Sequence, residues 1–272
     1  QHDLAAEIAG YLEVSLGDPG SHGGTRSTEA LEAYLRAIDV SDPEIAAVFI
    51  DEALAHDENF ARALVTKAQL GYTRLLNGIG SEEGTWAEVS PLLDKALALT
   101  DELPEAHVLI AGFQVQRERY AAAEIALHRA LEINPSHSEA FAQLSRLKEK
   151  TGQHQDAIVL AERNVLLDPL NSIRHQQLDN RQWSAGNIDA ARVSYEYALE
   201  LEPLNHNAWI DYAWRLGDLE NPAAAIRLVA RLQQNPQFRS HFYGPVPKIP
   251  PGGVQLFALW FGFIEDFERE RR

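Results

Sequence analysis

LEINP (131–135), LLDPL (166–170), LELEP (199–203) and LQQNP (232–236) are four versions of one phrase, and their prolines stand at Pro135, Pro169, Pro203 and Pro236. The intervals are 34, 34 and 33 residues, a fixed period that marks tandem structural repeats. Small residues recur inside the period. Ala123 and Ala130 precede Pro135 at the same distances at which Ala191 and Ala198 precede Pro203, whereas Ala157 keeps its slot before Pro169 and Asn164 replaces the second alanine. Glycines stand at Gly152 and Gly186, five residues before Ala157 and Ala191, and aromatic residues open two units at Phe141 and Trp209. Alanines let two helices approach closely, glycine suits the turn between them, and proline stops the second helix.

The period extends upstream. Ala96 lies 34 residues before Ala130, and Ala53 takes the slot before that at a distance of 43, which leaves nine extra residues in NGIGSEEGTW, read as a Gly-rich loop. Six helix pairs follow: 27–60, 61–103, 104–137, 138–171, 172–205 and 206–239. Asp42-Pro43 and Asn221-Pro222 pair a capping side chain with a proline at the first helical position. Thr85 and Glu88 suit a capping box, and Pro91 requires that helix to kink or to begin at Ser90.

Both ends read as caps. Residues 1–26 hold a helix over 3–16, with Leu4, Ile8, Leu12 and Leu16 at amphipathic spacing, and then the break GDPGSHGG. Residues 240–272 hold the stiff connector PVPKIPPGG (245–253) and the apolar run VQLFALWFGFIEDF (254–267). A terminal helix covering the end of the stack is the reading for that run. At 14 residues it is shorter than the ~20 a membrane span needs, so direct membrane insertion is not expected. A helix docking a partner, or pairing two copies through Leu256, Trp260 and Phe263, is the alternative.

Composition excludes several classes. The chain has 272 residues, 45% hydrophobic and 24% charged, as in ordinary globular proteins. A formal charge of −16 disfavours nucleic acid, whose phosphates need a basic surface. Cysteine is absent, which excludes disulfides and thiol nucleophiles. Methionine is absent too, and the chain opens on Gln1, so it reads as a fragment or processed form or as one whose methionines are missing from the sequence. No phosphate loop, H-E-x-x-H or G-x-S-x-G motif occurs, and no histidines pair at zinc spacing. His107 and His175, at the fourth position of their units, read as structural. The expectation is a non-catalytic protein without cofactor or metal.

The alanine, glycine and proline pattern over 27–239 resembles the tetratricopeptide repeat, a 34-residue helix–turn–helix unit. That resemblance implies an all-α, right-handed superhelical solenoid of about six antiparallel helix pairs with capping helices at both ends. It also implies a peptide-binding groove along the first helices. The family's groove positions fall here on Gln69, Tyr72, Gln116, Arg146, Lys150, Gln176, Asn180, Trp183, Asn207 and Trp214. Trp183 and Trp214 with flanking amides form a candidate stripe for an extended peptide, or else they pack into the groove wall. Asp179 takes the eighth position, where the family has Gly or Ala, and a local pair with Arg174 or Arg181 is expected to hold it. Members that bind chaperone tails carry Lys at the fifth position; here that position holds Val65, Val108, Ala142, Gln176 and Ile210, so that mode is not expected.

Gln1, Ala6, Ile8, Ala9, Glu32, Ala33, Tyr34, Leu35 and Arg36 are similar to a phrase in bacterial adenylate cyclases and membrane-anchored winged-helix regulators, where helical repeats follow it. This resemblance implies that an effector domain and a membrane span precede Gln1, and that the repeats are a regulatory or sensory module, periplasmic in that case and cytoplasmic otherwise. A protein or peptide is the expected partner. A scaffold for self-association, with a homodimer through the C-terminal helix, is the competing expectation.

Overall fold

The computed structural model describes residues 23–203 and, beyond them, Asn205, Ala208, Trp209, Asp211, Tyr212 and Arg215. The expected terminal helices, the Pro/Gly connector and most of the sixth pair lie outside these residues. Two compact units divide the chain, Gln1–Leu167 and Asp168–Arg272.

Eight helices are described in the first unit: α1 (Thr28–Asp39), α2 (Pro43–His56), α3 (Ala61–Leu76), α4 (Glu82–Leu99), α5 (Pro104–Gln116), α6 (Tyr120–Ile133), α7 (Ser138–Lys150) and α8 (His154–Leu167). They pair as antiparallel hairpins, α1 with α2, α3 with α4, α5 with α6 and α7 with α8. Within this unit α2 packs on α3, α4 on α5 and α6 on α7, and α3, α5 and α7 touch in series. In the second unit α9 (Ser172–Ser184) and α10 (Ile188–Leu201) form a fifth hairpin. The fold is all-α, a tandem of antiparallel helix hairpins.

The repeating small residues sit where the helices press together. Ala53, Ala96, Ala123, Ala130, Ala157 and Ala191 are wholly buried. Larger side chains such as Leu127 and Leu144 fill the layers between them, each such burial contributing roughly 1.5–3 kcal/mol. Asn164 is buried in its alanine slot because Ser138 Oγ donates to its Oδ1 at 2.8 Å, so the amide is not left unpaired.

Helix ends follow the sequence in most places. α6, α8 and α10 each stop two residues before Pro135, Pro169 or Pro203. Asp42 caps α2, its Oδ1 accepting from the Glu44 and Ile45 N–H groups at 2.9 and 3.3 Å. Three expectations fail around α4. The cap is Ser81, whose Oγ accepts from Gly84 N–H at 3.1 Å, so Thr85 and Glu88 are not a capping box. Glu82 and Glu83 then lie in the first turn, where the helix dipole favours carboxylates. Most of the nine extra residues therefore lengthen helices: α4 has 18 residues and α3 has 16, and only 77–81 remain as the turn. Nor does α4 begin at Ser90, since it runs through Pro91, on an exposed position, while Val89, Leu93 and Ala96 anchor the other face.

The hairpin turns have one weak point. Gly152 and Gly186 take φ of +80° and +79°. The same slot in the third hairpin holds Glu118 at φ +57°, the only non-glycine residue with positive φ among those described. A side chain there costs about 1–2 kcal/mol, partly offset in a glycine by its larger unfolded-state entropy. Glu118→Gly is expected to raise stability by about 0.5–1 kcal/mol, read as a higher urea midpoint; a lower midpoint would contradict the strain.

Candidate interaction face

Because α3, α5 and α7 lie side by side, positions on three first helices meet on one face of the first unit. Tyr72, near the end of α3, is almost buried. Its ring lies over Gly112 of α5, where a Cβ would come within 2.6 Å of the phenol oxygen and 2.8 Å of Cζ. Phe113 flanks it with ring centroids 4.8 Å apart. The phenol and the Gln116 amide share a hydrogen bond, and Arg146 and Glu139 of α7 lie within electrostatic range. Burial pushes the Tyr72 phenol up, against the opposite pulls of Gln116 and Arg146. Gln116, Glu139 and Arg146 are exposed at the rim. Three of the groove residues expected from the sequence, Tyr72, Gln116 and Arg146, are thus brought together.

The other expected residues of this unit stand apart. Gln69 is exposed, and its Nε2 donates to Thr73 Oγ1 within α3 at 3.4 Å. Lys150 is exposed at the end of α7 and holds its ammonium 5.3 Å from the Tyr120 ring centre. Sequence reasoning missed Trp86. It packs on Phe113 at 4.9 Å, with the Arg117 guanidinium 4.7 Å from its ring, and Arg117 Nε donates to Glu82 Oε1 at 2.6 Å. Its position inside the apparent loop hid it, since the helical phase of 82–86 is set by the Ser81 cap.

In the second unit the polar groups are committed to one another. Asp179 on α9 is 1% exposed. Its partner is Arg215, whose Nη1 donates to Oδ2 at 2.5 Å, and neither Arg174 nor Arg181 takes the part expected of it. Arg174 pairs instead with Asp168 at 3.5 Å. Burial pushes the Asp179 carboxyl up to about 7, against the pull of Arg215. The second guanidinium nitrogen, Nη2, donates to Asn180 Oδ1 at 2.5 Å. The same group lies 5.2 Å from the ring centres of Trp183 and Tyr195. Trp183 and Gln176 are half-buried and Asn180 is exposed. Tyr195 stacks on Tyr212 at 5.1 Å and donates to the Ala208 carbonyl at 2.9 Å. His175 is structural: Nε2 lies 2.8 Å from the Pro169 carbonyl, and the ring meets Tyr197 edge-on at 4.6 Å. Asn207 and Trp214 lie outside the described residues. Among the described residues no group of three His, Cys, Asp or Glu could hold a metal ion, and no helix is long and apolar enough to cross a membrane.

No protein-family profile and no curated protein matches the chain. Solved structures do. The type IV pilus biogenesis factor PilW is 17% identical, with 79% of this chain and 98% of PilW covered at a TM-score of 0.62. PilF of Pseudomonas aeruginosa is 20% identical over 78% of this chain and 96% of its own, with a TM-score of 0.54. A thermophilic TPR protein of Thermus thermophilus, TTC0263, is 20% identical over 69% of this chain and 98% of its own, with a TM-score of 0.51. At such identities the likeness is one of fold. The chain has a tetratricopeptide-type helical-repeat fold.

Proposed function

We propose that this chain is a non-catalytic interaction module that binds an extended protein segment on the first-helix face of the first unit. The observation that carries the reading is the convergence of Tyr72, Gln116, Glu139 and Arg146 from three consecutive first helices. A packed aromatic supplies a rigid floor, and exposed amide and charged groups at its rim can pair with a peptide backbone and its side chains. The likeness of 1–36 to signalling proteins supports a finer reading, in which the module is the regulatory or sensory part of a larger bacterial signalling protein and works in the periplasm.

A pull-down from extract of the source cell tests the binding face, with wild type beside a Gln116→Ala, Arg146→Glu double variant. Both side chains are exposed, so the variant should fold. A partner held by wild type and weakened at least about tenfold in the variant is expected. A partner held equally by both would place binding elsewhere, and a wild-type dimer in sedimentation equilibrium with no captured partner would favour the self-associating scaffold.

A further inference from the structure

The first-helix face changes character from one helix to the next. Toward the end of α3 it is apolar. Leu76 stands one turn after Tyr72 on the same side of the helix and is 58% exposed. α3 has 16 residues where α5 and α7 have 13, and Leu76 lies in that added turn. On α5 the face carries the exposed Gln116 amide. Toward the end of α7 it is basic. Arg146 and Lys150 are exposed and one turn apart, and neither has a carboxylate partner among the described residues. The other lysines and arginines of these helices are committed. Lys67, Arg74 and Lys148 pair with Asp51, Glu44 and Glu124 at 2.6, 3.9 and 2.6 Å, and Arg62 is engaged as well. Lys150 lies over the Tyr120 ring, a contact that leaves its charge uncompensated. The acids of α7 do not fill the gap: Glu139 lies two turns before Arg146 and accepts from Gln143 Nε2 at 3.0 Å, and Glu149 has a contact of its own.

We infer that this face takes an extended segment of a partner protein that runs across α3, α5 and α7, with apolar side chains over Tyr72 and Leu76 and, about six residues away, Asp or Glu side chains on Arg146 and Lys150. The inference rests on the first-helix face being the binding surface. Order and spacing define the segment as much as charge does. Neighbouring helix axes lie about 8–10 Å apart, so α3 and α7, with α5 between them, are roughly 16–20 Å apart, and an extended chain covers that in about five or six residues at ~3.3 Å each. Midway, the Gln116 amide meets the segment's backbone. A guanidinium holds a carboxylate through two parallel hydrogen bonds, and Arg146 has its fork free of any carboxylate for that purpose.

The probe is a fluorescent nonapeptide with leucine at its first and third positions, glutamate at its seventh and ninth, serine elsewhere and an amidated C-terminus. Residues two apart share one side of an extended chain. An isomer that exchanges the third and seventh residues has the same charge and composition. By anisotropy against the full chain, the first peptide is expected to bind about tenfold more tightly than the isomer. Leu76→Ser should lose that preference, and so should Arg146→Gln, Lys150→Gln. All three side chains are exposed, and circular dichroism checks that helix content is kept. Equal affinity for the two isomers, abolished by Gln116→Ala, Arg146→Glu, would overturn the segment class and leave the binding face standing. Affinity that this variant leaves unchanged would overturn the face as well. No measurable binding of either isomer would also overturn the class, and the pull-down then decides the face by itself. Binding only of the peptide with a free C-terminal carboxylate would overturn the side-chain assignment. A wild-type dimer dissociated by Arg146→Gln, Lys150→Gln would put a second copy on the face instead.

Discussion

Replacing Arg215 with leucine is expected to destabilise the protein by about 3 kcal/mol at pH 8 and by far less at pH 5. Asp179 is the reason. Its carboxyl is 1% exposed and already pushed up to about 7 by burial with the guanidinium in place. Without Arg215 the buried charge has no compensating partner, and removing one member of a buried pair is among the costliest single changes. The sign follows from linkage. The folded value lies above the unfolded value of about 3.8, so the folded state binds the extra proton. The stability this group contributes is complete below about pH 3.8 and is lost as pH rises through about 7. In the Arg215→Leu protein the folded value climbs further, so the neutral acid survives at pH 5 and must be formed at a growing cost at pH 8. Asp179→Asn, which keeps an uncharged side chain of the same shape, should remove most of the difference between the two pH values. Urea unfolding of the three proteins at both pH values measures this, and an Arg215→Leu loss independent of pH would contradict it.

Phe113→Ala is expected to cost about 3–5 kcal/mol. Phe113 is fully buried and touches two aromatic rings, Tyr72 at 4.8 Å and Trp86 at 4.9 Å. The neighbours that would have to collapse into the cavity are themselves fixed. Tyr72 is seated over Gly112, and Trp86 lies beneath the Arg117 guanidinium that bonds Glu82. Little relaxation is available, so the cavity cost adds to the lost transfer energy. The effect reaches function as well, because Tyr72 is the floor of the proposed peptide face. Thermal and urea melts of Phe113→Ala beside Ile125→Ala give the comparison, the second residue being 71% exposed. A loss near 3 kcal/mol or more for the first and close to zero for the second is expected; equal losses would contradict the packing described.

What the sequence made legible was steric. Ala123, Ala130, Ala191 and Ala198 recur because a larger side chain would part the helices, and Pro135, Pro169 and Pro203 recur because a second helix must end there. Such constraints act within one hairpin, so they leave a local periodic trace. Long-range pairings leave none. Asp179 finds Arg215, 36 residues on, in the region of the next repeat, and Arg181 was a poor candidate because residues two apart on a helix do not face each other. The Ser81 cap turned an apparent loop into the first turn of α4, which put Trp86 on Phe113. Of the candidate face, Tyr72, Gln116 and Arg146 were legible through the resemblance to tetratricopeptide repeats, but the seat under Tyr72 depends on Gly112 of another helix. The exposure of Val48, Ile125 and Val159 was hidden for the opposite reason: apolar residues at helical spacing read as core, and these are exposed.

Hydrogen–deuterium exchange of the full chain, alone and saturated with a partner captured from source extract, tests the binding face most directly. Slowed exchange concentrated in the C-terminal turns of α3 and α5 and along α7, absent in the Gln116→Ala, Arg146→Glu variant, is the result predicted. Protection confined to α2, α4, α6 and α8, with the first helices unchanged, would contradict it.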